Sequence, residues 1–125
     1  MPYTITIEPA FLRIVLYGAV TNQDLQAIAD EVLAIEASRA FTPHRLSDFS
    51  AMTEPYLTYA VVRRFIERRT PQPLPNIVKS ALVAPRPILL GFARMFQILS
   101  NHPQIKMEIF ATVEAAEAWL LSPTD

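Results

Sequence analysis

The alternation of short apolar strand patterns with amphipathic helix patterns constrains the fold of this chain most. From Phe11 onward, each of four strand-like runs is followed by a run with helical spacing of its apolar residues. Strands that alternate with helices in this way pair in parallel through right-handed crossovers. The alternation therefore predicts an α/β fold built on a single sheet.

The chain is expected to open with a hairpin. Tyr3, Ile5 and Ile7 alternate with polar residues, which is typical of a half-buried strand. A turn at residues 8–10 leads into a second apolar run at 11–18, and so short a connection joins antiparallel neighbours. The sequence thus predicts a mixed sheet with the element order ββαβαβαβα and with the first strand at the edge.

Size and composition fit one domain over residues 1–125, because single domains cluster at roughly 100–150 residues. Apolar residues make up 51% of the chain and charged residues 18%, against about 25% charged in an average globular protein, which favours a well-buried core. The N-terminus lacks the pattern of a signal peptide, and no apolar run reaches the ~18 residues of a membrane span. A cytoplasmic protein is the expectation.

The pattern of residues 44–69 predicts the location of a functional site. A short third strand at 45–49 leads into a polar loop, and a second helix is expected to begin near Pro55. In α/β sheets, ligands and partners gather outside the carboxyl ends of the strands. The candidate interaction and modification residues of this loop are Asp48, Ser50, Thr53, Glu54 and Thr58.

Three further residues are predicted to share that rim, because they precede the other helices. Thr21, Arg86 and Thr112 stand where helix amino ends present unpaired N–H groups suited to an anion or ligand. The alternative is that the threonines only cap helices, while Asp48 and Ser50 only hold a turn.

Two features depart from a simple α/β pattern. The third strand carries Arg45, Ser47 and Asp48, although a central parallel strand is normally apolar on both faces. The third helix, from Pro87, is apolar nearly all round, which fits either the core or the interface of a homodimer. A homodimer is the preferred interpretation.

Other chemistries find little support. The net charge is −1, so nucleic acid is not an expected partner, and the arginines at 63, 64, 68 and 69 fit a solvated last helical turn. The absence of cysteine excludes thiolate zinc and a disulfide scaffold. His44 and His102 lack motif spacing, and two glycines cannot form a phosphate loop. No catalytic residue, no metal and no cofactor is expected.

The chain resembles the STAS family, which is named for sulfate transporters and anti-sigma-factor antagonists. The resemblance covers nearly the whole chain and is greatest to the SpoIIAA-like branch, which includes stand-alone bacterial proteins of undefined role. It rests on the element order, the strand-end Asp48-Phe49-Ser50, the helix RPILLGFARMFQIL and the ending IKMEIFATVEAAEAWL. It implies a SpoIIAA-like β–α superhelix, no catalysis, and regulatory signalling through a protein partner.

The resemblance also implies a phosphorylated serine at the start of the second helix, but this chain has no serine there. Thr58 is the nearest hydroxyl that could replace it. An alternative function comes from the related lipid-transfer domains, whose winding is the same and in which an apolar helix could line a pocket for a small apolar ligand. A third possibility is an enzyme that uses Asp48 as a general base.

Overall fold

The computed structural model describes residues 2–56, 58–67, 73–100 and 102–123, with the backbone alone at 54–56 and 61. Its elements follow the predicted order ββαβαβαβα. Their bounds are β1 Tyr3–Ile7, β2 Phe11–Thr21, α1 Asn22–Ala37, β3 His44–Tyr56, α2 Tyr59–Glu67, β4 Val78–Val83, α3 Pro87–Leu99, β5 Ile105–Phe110 and α4 Val113–Leu121.

In the described part of the chain, the strands form one five-stranded sheet in the order β1-β2-β3-β4-β5. The strand β1 pairs antiparallel with β2 at the edge, and the remaining pairs are parallel. Both predictions, the mixed sheet and the edge position of the first strand, are confirmed. Because each right-handed crossover moves one strand further in the same direction, α1, α2 and α3 all cover the same face of the sheet.

The sheet separates two apolar layers. On one face, Leu12, Ile14 and Leu82 pack with residues of α1, α2 and α3. On the other face, α4 packs its Ala116 and Leu120 against the sheet. The core therefore lies mainly beneath the three crossover helices.

The third strand is much longer than predicted, and this overturns the expected loop. It runs from His44 to Tyr56, so Ser50, Thr53 and Glu54 lie in the strand. The reason is that β2 continues to Thr21, beyond the predicted end at Gly18, and its last residues pair with 51–56. Hydrogen bonding to this partner outweighs the local preference of Pro55 for a helix start, and α2 begins only at Tyr59.

Irregular pairing accompanies the extension. The β2–β3 register shifts between Val15 and Tyr17 and again between Gly18 and Ala19. Gly18 has a φ of 67°, which a residue without a Cβ adopts at little cost. Beyond Asp48, which pairs with Val83, no further pair joins β3 to β4 in the described chain. The end of β3 is thus a two-stranded ribbon with β2.

Buried charge fixes α4 to the sheet. Lys79 on β4 is buried, and its Nζ donates to the carbonyl oxygens of Trp119 and Ser122, each at 2.8 Å. A cation at these carbonyl groups satisfies the carboxyl end of the helix and favours its dipole. Arg13 forms ion pairs with Glu8 in the hairpin turn and with Glu117 in α4. The distance from Arg13 Nη2 to Glu117 Oε2 is 2.6 Å.

The apolar excess of the third helix divides between core and surface. Leu89, Phe92 and Phe96 are buried, whereas Ile88 and Ile98 are 64% and 80% exposed. The buried part accounts for most of the helix's apolar character. The homodimer stays a prediction.

Candidate ligand-binding cavity

A cavity of about 90 Å³ lies between the sheet and the three crossover helices. Most of its wall is apolar. The sheet contributes Ile14, Leu16, Arg45, Ser47, Phe49, Ser80, Leu82, Ile105 and Met107, and the helices and their ends contribute Leu25, Ile28, Ala29, Val32, Leu33, Phe65, Ile66, Phe92, Phe96, Ser100 and His102.

Aromatic rings form one end of the cavity. Phe92 and Phe96 meet edge to face at 5.1 Å between ring centroids, and Phe49 lies 5.5 Å from Phe92. Phe65 of α2 packs edge-on against Phe96 at 5.9 Å. Such contacts add to the burial of the rings, so this wall is well defined.

Polar side chains concentrate at the other end, and strand register brings them together. Arg45 pairs with Ser80 across the parallel β3–β4 ladder, and Ser47 pairs with Leu82 one step further along. Neighbouring strands lie about 4.8 Å apart, and alternate residues share a face. Arg45, Ser47 and Phe49 therefore point into the cavity, while Leu46 points to α4. The unusual polarity of β3 is explained by this placement.

Arg45 is 8% exposed, and Glu36 at the end of α1 is an acidic neighbour. The distance from Arg45 Nε to Glu36 Oε2 is 3.9 Å, which suits an ion pair but is too long for a hydrogen bond. Both side chains are largely withdrawn from water. Glu36 is not among the residues that line the cavity, so the guanidinium is the charged group on the cavity side of this pair.

His102 adds a second buried polar group at this end. It is 7% exposed, and its Nδ1 accepts a hydrogen bond of 3.1 Å from the backbone N–H of Gln104. A neutral imidazole whose Nδ1 accepts has its proton on Nε2. Ser100, at the end of α3, lines the cavity beside it. The polar end thus lies near the amino ends of β4 and β5 and the carboxyl ends of α1 and α3.

The predicted rim residues of β3 do not form a compact cluster. Asp48 and Thr53 are five strand positions apart, a separation of roughly 16 Å along an extended chain. The Asp48 carboxylate turns back onto Ser50, accepting from its backbone N–H at 2.9 Å and from its hydroxyl. Ser50 and Thr53 are exposed. The side chain of Glu54 lies outside the described residues.

The other predicted rim residues occupy helix starts, as expected, and have structural partners. Thr21 forms a capping box with Asp24, and the Thr112 hydroxyl accepts from the backbone of Ala115 at 3.1 Å. Arg86 is the N-cap residue of α3 and donates to the carbonyl oxygen of Met52. Thr58 is exposed and lies just before α2. The contacts of Thr21 and Thr112 fit the alternative that these threonines cap helices.

Sequence reasoning did not assign the polar end of the cavity. Arg45 and Ser47 were noticed only as misfits in a central strand, and Ser80 and Ser100 were not considered. A usable signal was present, because Ser80 is a polar residue of β4 at the position that pairs with Arg45. Nothing in the sequence indicated that His102 would join them.

Metal binding has no geometric support in the part of the chain that is described. No three His, Asp or Glu side chains gather there in a way that could hold an ion. Over the same residues, no helix is long and apolar enough to cross a membrane.

Comparisons with known proteins show what the fold is similar to. No protein-family model and no curated protein matches the sequence. Among solved structures, the chain is similar to an uncharacterized protein of the DUF3478 family from Shewanella loihica PV-4, which has a SpoIIAA-like fold. The match covers 94% of this chain and 91% of that one, with a TM-score of 0.65 and 13% sequence identity. The chain thus has the SpoIIAA-like α/β fold that its sequence resembles.

Proposed function

We propose that this chain is a non-enzymatic binding domain that encloses a small, largely apolar molecule between its sheet and α1, α2 and α3. The observation that supports the proposal is the cavity itself. Well-packed cores contain few voids larger than a water molecule. A cavity of about 90 Å³ has room for about three waters, at roughly 30 Å³ each, yet apolar side chains form most of its wall.

The chemistry of the wall favours an organic ligand over water or an ion. Ordered water needs two to four polar partners, and the aromatic end of the cavity offers none. Empty apolar cavities accept apolar molecules readily, because the walls then regain dispersion contacts. Polar groups confined to one end are typical of sites that orient a ligand.

A titration with dissolved xenon tests the proposal, because xenon is a small apolar probe that enters apolar cavities. We expect backbone amide signals of cavity residues to shift in a saturable way, and Ala29→Leu to abolish the shifts, because Ala29 lines the cavity. Ala34→Leu is the matched control, since Ala34 lies on the same helix and is exposed. Shifts that persist in Ala29→Leu, or that never saturate, would contradict binding inside the cavity.

Native mass spectrometry of the protein purified from its own cells tests whether the cavity is used biologically. We expect a fraction of the protein to carry an added mass that is lost on denaturation and lost in Ala29→Leu. A clean mass of the bare chain in both proteins would count against the proposal.

A second candidate function is a regulatory interaction with a protein partner at the end of β3. The supporting observation is that β3 continues past its last pair with β4, so the edge of residues 49–56 faces away from β2 without a described strand partner. An open edge can accept an added strand. A phosphate on Ser50 or Thr58 would add about −1.5 to −2 charges next to this edge.

The interaction proposal has its own test. Thr58→Glu and Ser50→Glu should each weaken the binding of a partner that the wild-type chain captures. The control Ala118→Glu, at an exposed position on the opposite face, should leave that binding unchanged. An intact mass without modification, together with unchanged capture by both variants, would refute it.

Self-association is part of the same proposal. The exposed Ile88 and Ile98 of α3 supply apolar surface for a second copy. We expect Ile98→Glu to shift the sedimentation coefficient from dimer to monomer. A wild-type chain that sediments as a monomer at high concentration would exclude the dimer.

A further inference from the structure

We infer that two copies of this chain join along the outer edge of β5, with the two strands antiparallel across a two-fold axis at Met107. This inference rests on the proposed self-association and specifies the surface that forms it.

The outer side of β5 offers backbone groups to a further strand. In the described sheet, β5 is the last strand and pairs with β4 alone. The backbone N–H of Ala84 donates to the carbonyl oxygen of Phe110 at 2.9 Å, so the even-numbered residues of β5 direct their backbone groups toward β4. The backbone groups of Ile105, Met107 and Ile109 therefore point to the open side.

Two of these outward groups already have contacts within the chain. The Met107 carbonyl oxygen accepts from Gln97 Nε2 at 3.1 Å, and the Ile105 N–H donates to the carbonyl oxygen of His102 at 3.2 Å. A carbonyl oxygen has two lone pairs, so Met107 can still accept from a second donor. In the central pair of an antiparallel ladder, each residue exchanges its N–H and C=O with the residue opposite. Met107 can form such a pair with Met107 of a second copy.

The charges of β5 favour one register of this pairing. Lys106 and Glu108 are exposed and lie two positions apart, so they share a face of the strand. When the pair is centred on Met107, Lys106 of each copy lies opposite Glu108 of the other. Because only odd-numbered residues have outward backbone groups, the neighbouring registers place Lys106 opposite Lys106 or Glu108 opposite Glu108. Opposite charges stabilise a cross-strand pair and like charges destabilise it, so the pattern is self-complementary.

The charge pairs add to the contacts of the single chain. Lys106 also interacts within its own chain. That interaction need not be lost, because an ammonium group has three donors on a flexible stem. Positions 106 and 108 fall in the pairs without backbone hydrogen bonds, where opposing side chains are closest. The attraction to Glu108 of the second copy therefore acts beside the existing interaction.

The other face of β5 is apolar in the same register. Met107 meets Met107, and Ile105 meets Ile109, of the second copy. These side chains are half-buried in the single chain, so the pairing removes more apolar surface from water. Gln97 contacts Met107, and the next residue of α3, Ile98, is 80% exposed. The exposed apolar surface of α3 thus lies beside this edge.

Charge reversal tests the interface by sedimentation velocity. Stable dimers bury at least about 1,000 Å², and one strand of six residues supplies less, so we expect a reversible dimer at protein concentrations on the order of 100 μM. Lys106→Glu and Glu108→Lys should each weaken self-association at least about tenfold, because each creates two like-charge pairs. An equimolar mixture of the two variants should restore the dimer, as should the chain that carries both substitutions. Glu114→Lys, at an exposed position of α4, is the matched control and should leave self-association unchanged.

The outcomes separate this interface from self-association in general. A wild-type chain that stays monomeric at the same concentration would refute the proposed self-association. A wild-type dimer that neither reversal weakens would overturn the β5 interface and leave self-association through another surface. Two monomeric variants that stay monomeric when mixed would also overturn it, since the charges would then not lie opposite each other.

Discussion

Arg45 lies opposite Ser80 in the parallel β3–β4 ladder, and both side chains face the cavity under α1, α2 and α3. A charged residue and a hydroxyl are thus built into the centre of the sheet, on the face that also carries Ser47. Burying such groups lowers stability unless they gain partners. A molecule bound in the cavity, as proposed above, would supply such partners.

Ser80→Ala is expected to stabilise the chain without ligand. The variant replaces a hydroxyl that faces the cavity and has no hydrogen-bond partner among the described residues, so the free energy of unfolding should rise, by at most about 1 kcal/mol, in urea titrations. Ser122→Ala is the matched control, because the Ser122 hydroxyl donates to Trp119 and accepts from Lys79. That change should destabilise the chain. A loss of stability in Ser80→Ala would show that its hydroxyl is satisfied in solution.

Lys79→Met is expected to loosen α4. Methionine keeps much of the apolar stem but loses the donors to the carbonyl oxygens of Trp119 and Ser122. The expected loss is about 2 kcal/mol in the free energy of unfolding, the scale of hydrogen bonds made by a charged group. Lys106→Met, at the paired but exposed position of β5, should change stability by less than about 0.5 kcal/mol. Similar effects of the two variants would argue against a capping role for Lys79.

His44 gives the stability a dependence on pH. Burial and the nearby charge of Lys79 lower the pKa of His44 below its usual 6.5, and its Nδ1 accepts from the backbone of Lys79. The unfolded chain therefore takes up a proton first as the pH falls. The stabilising contribution is present above pH 6.5 and is lost as the pH falls from there toward the folded-state pKa.

Urea unfolding at pH 7.5, 6.5 and 5.5 tests this dependence. His44→Gln should flatten the decline in the free energy of unfolding between pH 6.5 and pH 5.5, because glutamine keeps an acceptor but does not titrate. An identical decline in wild type and variant would assign the pH dependence to other groups.

Thr21→Ala tests whether a predicted rim residue does more than cap a helix. Loss of the capping box with Asp24 should lower the free energy of unfolding by about 1 kcal/mol. Binding of xenon should stay unchanged once the variant is folded, since Thr21 does not line the cavity. A folded Thr21→Ala protein with impaired ligand binding would indicate that Thr21 contributes to binding as well as to capping.

The order of elements could be predicted because it depends on local patterns. The first strand was visible in the alternation of Tyr3, Ile5 and Ile7 with polar residues, and the start of α1 in the capping residue Thr21. The length of β3 could not be predicted in this way. Its last residues, Pro55 included, are strand only because β2 extends beside them, and that pairing is a property of two distant segments.

The cavity was beyond sequence reasoning for a similar reason. Arg45 and Ser80 are 35 positions apart, and only strand register places them side by side. The rule that ligands bind outside the carboxyl ends of the strands predicts a site at the opposite edge of the sheet. A polar residue in a strand that should be wholly apolar is the signal that deserved more weight.

Trp119 is the single tryptophan of the chain, and it packs on Phe110 at 5.5 Å beneath α4. The single sheet separates this ring from the cavity on its other face. Its fluorescence emission is therefore expected to report melting of the α4 layer without direct contact with a molecule in the cavity. A rise in melting temperature recorded through Trp119 when the cavity is filled would thus measure the linkage between occupancy and folding.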